Sequence, residues 1–143
     1  MKKVLSVIMG SLVLSMAVLF GFSGVASADS FRWVPFQTED TKWDGNPITT
    51  TYSQPNVEVH LGAEGSRAPY TIGGTRVDGQ TLRVRLCNPV TRACTAYQYF
   101  GGSEGLYSTV FTGMKPATYR LDIIDSSPSY RVKGYVEAAT FSW

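Results

Sequence analysis

Arg83-Val84-Arg85-Leu86-Cys87-Asn88-Pro89-Val90-Thr91-Arg92-Ala93-Cys94-Thr95-Ala96-Tyr97-Gln98-Tyr99 is the stretch that decides the fold class. Two alternating runs flank a six-residue turn region that opens on Asn88-Pro89. Alternation with a period of two is the mark of a half-buried strand, because successive side chains point to opposite faces. If Cys87 faces Cys94, Leu86 pairs with Thr95, Val84 with Tyr97 and Leu82 with Tyr99. That set is largely apolar. The other face carries Arg85 opposite Ala96, Arg83 opposite Gln98, and the cysteines. Both runs agree on which face is inward, which predicts a β-hairpin. Pro89 falls in the turn, where its missing N–H removes no ladder bond.

The same pattern continues in both directions. Short alternating runs at 31–36, 48–52, 57–61, 70–72, 81–87, 94–100, 107–111, 117–124 and 130–143 read as strands, the last one bent at Gly134. Turn residues separate them. Asp44-Gly45-Asn46-Pro47 reads as a break before the second strand, Gly73-Gly74 and Asp78-Gly79 flank Thr75–Val77, and Gly101-Gly102 with Gly105 reads as a loose connection. Tyr119, Leu121 and Ile123 share one face, and Thr118, Arg120 and Asp122 the other. No apolar run of helical period follows residue 28. One apolar face and one polar face per strand suits antiparallel sheets packed face to face. The expected fold is therefore all-β, an antiparallel β-sandwich of Ig-like or jelly-roll-like type, with a small closed β-barrel as the alternative. The stretch Phe111–Ile123, a Gly/Pro turn leading into Tyr-x-Leu-x-Ile, resembles the approach to the penultimate strand in small secreted bacterial β-sandwich modules. That resemblance implies a fold and no chemistry.

Residues 1–28 read as a cleaved export signal. Lys2 and Lys3 precede a mostly apolar run from Val4 to Phe22, and Ala26-Ser27-Ala28 gives the small-x-small pattern of a cleavage site. Cleavage is expected between Ala28 and Asp29. An apolar run of about 19 residues also approaches the length of a membrane span. Gly21, Gly24 and the absence of a basic stop-transfer cluster argue against an anchor. The expected mature chain is a single domain at 29–143, secreted, or periplasmic in a Gram-negative host.

Removing the signal changes the charge balance. The whole chain has 13 Lys+Arg and 11 Asp+Glu, a formal net charge of +2. Two lysines and no acid lie in the signal, so the mature domain is near neutral. The basic pI of the whole chain therefore implies no affinity for nucleic acid. The chain has 7 Phe, 3 Trp and 8 Tyr, and all but Phe20 and Phe22 lie beyond residue 28, which is ample for one packed core. Cys87 and Cys94 are the only two cysteines. In an oxidising compartment they are expected to pair, closing a short loop that contributes about 2–3 kcal/mol.

Catalytic constellations are missing from the pattern. His60 is the only histidine, on the polar side of Val57–Leu61 beside Glu58, and no serine motif accompanies it. A lone histidine cannot build a usual zinc site, and both cysteines are expected to be oxidised. Glu39, Asp40 and Asp44 offer oxygen ligands that suit calcium without EF-hand spacing, and no other cofactor is implied. Asp122 and Asp125 read as residues flanking a solvated turn. Two features point to binding. Phe31, Trp33, Phe36 and Trp43 offer aromatic faces for sugar rings, if they are not core. Arg83, Arg85 and Arg92 offer guanidinium forks for phosphate or carboxylate, joined by Arg131 and Lys133 if the last strand neighbours the hairpin. The leading expectation is a non-enzymatic surface binder of an envelope or extracellular glycan or anionic polymer. Other classes are a secreted toxin, bacteriocin or inhibitor acting on another protein or cell, and a small hydrolase with an unrecognised site.

Overall fold

The alternation along the chain becomes two facing layers in a computed structural model, which describes residues 33–62, 68–103, 106–126 and 130–143. The expected signal, its Ala28/Asp29 cleavage site and Phe31 lie outside the described residues. Ten strands are found among those described: β1 (Val34–Gln37), β2 (Asp44–Thr49), β3 (Asn56–Gly62), β4 (Tyr70–Thr71), β5 (Arg83–Cys87), β6 (Gln98–Tyr99), β7 (Gly101–Ser103), β8 (Leu106–Phe111), β9 (Thr118–Ile124) and β10 (Val132–Phe141). A 3-10 turn at Gly79–Thr81 precedes β5 and is capped by the Asp78 side chain. The first sheet has the order β1-β10-β3-β8-β7, with β4 also paired to β10. The second has the order β2-β9-β5-β6. Pairing between the described strands is antiparallel, and the sheets stay open as two layers, so the barrel alternative does not apply.

The core lies between the layers. Val57, Val59, Leu61, Tyr107, Phe111, Val132 and Val136 enter it from the first sheet. Val84, Leu86, Tyr119, Leu121 and Ile123 enter it from the second. These are the inward faces that the alternation predicts for β3, β5 and β9. Each such aliphatic side chain, once fully buried, contributes about 1.5–3 kcal/mol. β10 runs through Gly134 without interruption. A Cβ there would lie 2.6 Å from the Gly62 carbonyl oxygen and 2.9 Å from the Phe36 ring, so the glycine makes room for its neighbours.

Among the described strands the chain crosses between the sheets six times, and two of the crossings are packed against this core. One crossing is the 38–43 loop from β1 to β2. Its base is fixed by Thr38, fully buried, whose N–H and Oγ1 bond the Val132 carbonyl and N–H at 2.9 Å each. Thr38 also donates to the buried Asp125 carboxylate. The other is at Phe100, buried between β6 and β7.

Several sequence expectations need correction. Asp44-Gly45-Asn46-Pro47 does not break the chain; it lies within β2, across a bulge between Asp44 and Ile48. β2 is an edge strand, where proline costs no ladder bond, and Gly45 takes the left-handed φ of +64° that the bulge needs. Gly101 and Gly102 belong to β7, paired with β8, rather than to a loose connection. Asp125 is buried and Asp122 sits within β9, so neither is the solvated turn residue expected. Arg131 and Lys133 stand at the start of β10, in the opposite sheet from the hairpin, and do not extend its basic face. Lys133 lies over the Tyr70 ring instead.

Candidate functional site

The outer face of the second sheet is built by a slip in the hairpin register. The disulfide forms between Cys87 and Cys94, which face each other with Cα atoms 4.0 Å apart. Next to it, Thr95 N–H donates to the Leu86 carbonyl at 2.9 Å, as expected. The Leu86 N–H, however, donates to the Thr95 hydroxyl oxygen at 3.1 Å. That side chain interrupts the backbone ladder, and one extra residue is taken up before pairing resumes. Val84 then pairs with Gln98 and Arg83 with Tyr99. A one-residue slip moves every later side chain to the other face. Gln98 therefore turns inward and accepts from Thr109 of the opposite sheet at 2.9 Å. Tyr97 and Tyr99, expected in the core, come out onto the arginine face.

This face is tightly organised. Arg85 and Asp122 are cross-strand partners, and both Nε and Nη2 of Arg85 reach Asp122 Oδ2 at 2.7 Å. The Tyr97 hydroxyl donates to the same oxygen at 2.8 Å. The Arg85 guanidinium lies 4.5 Å from the Tyr97 ring centroid, and Arg83 lies 5.6 Å from the rings of both Tyr97 and Tyr99. Burial, followed by the hydrogen bond to Asp122 and its charge, holds the Tyr97 hydroxyl above its ordinary range.

Beyond Asp122 the surface drops into a hollow of about 380 Å³ between β9 and the 38–43 loop. Tyr97 and Asp122 form one wall, and Glu39, Asp40, Lys42 and Trp43 the other. Trp43 is 48 % exposed. Beneath them Asp44 is only 4 % exposed. Its Oδ2 accepts the Ile123 N–H at 2.8 Å and so replaces a ladder bond lost at the β2 bulge. Burial raises the Asp44 pKa from 3.8 to about 7, helped by the nearby charges of Asp40 and Asp122 and opposed by the backbone N–H groups of Ile123 and Gln37.

The residues singled out in the sequence thus fall into different places. Arg83, Arg85 and Trp43 belong to this face and its hollow. Trp33 is 45 % exposed but stands just before β1, a strand's length of about 13 Å from the 38–43 loop, so it does not join Trp43. Arg92 is exposed in the hairpin turn with a left-handed φ of 60°, away from the tyrosines. Of the three acids that suited calcium, Glu39 and Asp40 line the hollow and Asp44 lies under it. Among the described residues, no three His, Cys, Asp or Glu side chains converge as a metal site.

Two participants escaped sequence reasoning. The simple register pairs Tyr97 with Val84, inward, because it takes Thr95 as an ordinary strand residue, and reading Asp122 as a turn residue keeps it from the arginines. The polar face of 117–124 was legible, and it already placed Asp122 outward. The position opposite His60 also became clear only in three dimensions: it is Ser108 of β8, with Glu137 of β10 on the other side. The contact that His60 makes is with Glu58, at 3.4 Å from Nε2 to Oε2. No hydrogen bond joins Ser108 to His60 among the described residues. Comparison with protein-family models and with curated proteins finds no match to the chain.

Proposed function

We propose that this protein is an exported binding module for an uncharged polysaccharide chain of the cell envelope or extracellular matrix. The observation that carries the reading is the half-exposed Trp43 lining the same 380 Å³ hollow as Tyr97, together with the carboxylates of Glu39, Asp40 and Asp122. Aromatic faces stack on the C–H faces of sugar rings, and carboxylate oxygens accept from sugar hydroxyls. An anionic polymer fits less well. Arg85 is neutralised by Asp122, and Arg83 is packed against two tyrosine rings. Glu39 and Asp40 would repel further negative charge, opposed locally by Lys42. The disulfide is consistent with an oxidising compartment, and no helix among the described residues is long and apolar enough to cross a membrane.

A glycan array and pulldown on insoluble cell-wall polysaccharide test the proposal. The wild-type chain is expected to bind an uncharged glycan, and Trp43→Ala to weaken that binding at least tenfold, while Arg92→Ala leaves it unchanged. Empty results in both assays, or a Trp43→Ala variant that binds as wild type, would overturn it.

A further inference from the structure

A second concavity lies at the start of the first sheet, apart from the outer face of the second sheet. β4 pairs with Val132 and Lys133 at the start of β10, and the chain then turns through Ile72–Thr75. The turn is fixed from several sides. Thr71 N–H donates to Thr75 O at 2.7 Å, Thr75 N–H donates to Thr71 Oγ1 at 3.0 Å, and Ile72 N–H donates to Arg131 O at 3.1 Å. The last bond holds the turn against the segment that enters β10. Between them opens a cavity of about 620 Å³, within the range of small-ligand sites.

Its lining combines two chemistries. Ile72 is 51 % exposed and Tyr130 is 45 % exposed, both on the cavity wall, and the buried Val77 lines the same space. Exposed large apolar side chains gathered around one concavity mark a surface that gains from being covered. Arg76 and Arg131 line the same space. The opposing charge is Asp78, whose carboxylate is engaged at Gln80 N–H, 3.0 Å away, as the cap of the 3-10 turn. Arg76 has an interaction of its own, so the ligand's charge is assigned to Arg131, which is exposed on the same lining.

We propose that this cavity is a binding site for a small aliphatic carboxylate, its chain laid on Ile72, Val77 and Tyr130 and its carboxylate held at Arg131. Guanidinium groups pair with a carboxylate in a two-bond fork, and the apolar wall removes the chain from water. The site is independent of the polysaccharide reading and uses none of its residues.

Titration of the full mature chain with decanoate, followed by amide chemical shifts, tests the proposal. Decyl phosphate and decanol serve as comparison ligands. Decanoate is expected to saturate below millimolar concentration, with shifts confined to Ile72, Thr75, Val77 and Arg131. Decanol is expected to bind at least tenfold more weakly for want of charge. Arg131→Ala and Ile72→Ser should each weaken decanoate at least fivefold. Both positions are on the surface, and unchanged thermal midpoints of the unliganded variants would show that each still folds. Lack of saturation, shifts that map to Trp43 and Tyr97 instead, equal binding of decanol, tighter binding of decyl phosphate, or folded variants that bind as wild type would each overturn it.

Discussion

Asp44 shows how one buried carboxyl can do structural work and still set a pH response. Its side chain takes the Ile123 N–H that the β2 bulge leaves without a strand partner. Burial raises its pKa in the folded protein to about 7, from 3.8. The folded state therefore binds the proton more tightly than the unfolded chain. Between about pH 4 and pH 7 the folded form holds a proton that the unfolded form has released, so this group lowers stability as pH rises. The slope is at most about 1.4 kcal/mol per pH unit, and it flattens once Asp44 is ionised in both states. Asp44→Asn keeps an oxygen acceptor for Ile123 N–H and removes the charge. Urea unfolding across this pH window is expected to show a falling midpoint for wild type and a flatter one for Asp44→Asn, with the variant the more stable above pH 7. Parallel curves would refute the assignment.

The β5–β6 hairpin, at the scale of an element, was legible in part. Cys87, Asn88-Pro89 and Cys94 identified the turn, and the inward faces of β5 and β9 followed from alternation alone. The register beyond Thr95 did not, because a side-chain hydroxyl replaced a backbone acceptor at Leu86 N–H. Nothing in the spacing of apolar residues announces that substitution, since threonine fits an ordinary strand equally well. The disulfide and the Thr95 bond act together, pinning the turn end of the hairpin while the tyrosine arm slips by one residue. Replacing both cysteines in Cys87→Ala/Cys94→Ala is expected to cost about 2–3 kcal/mol, read as a lower denaturant midpoint at an unchanged m-value. A midpoint equal to wild type would mean that the Asn88 turn holds the hairpin unaided. That turn is well supplied: Asn88 Oδ1 accepts from Val90 N–H at 2.9 Å and Thr91 N–H at 3.1 Å.

The ordered paths of the two open sheets end on β1, β7, β2 and β6, and each of these edges is blunted. β1 carries Pro35, and β2 carries Pro47 beside its bulge. β6 is only two residues long. At β7, Gln80 from the 3-10 turn donates to the Gly102 carbonyl and covers part of the edge. Short strands, prolines, bulges and covered edges discourage strand addition from another chain. A chain beginning at Asp29 is accordingly expected to run as a single-chain species in size-exclusion chromatography with light scattering at micromolar concentration. A concentration-dependent dimer would point to one of these edges as an interface. By itself, the sequence determined the all-β class, the disulfide partners and the buried faces of β3, β5 and β9, because those depend on local alternation and on there being two cysteines. Only the tertiary structure decided that Tyr97 meets Arg85 and Asp122, that Trp33 and Trp43 stand apart, and that Asp44 lies beneath a hollow. Those outcomes depend on strand order, on a register slip and on where the chain crosses between sheets, none of which a periodicity of two encodes.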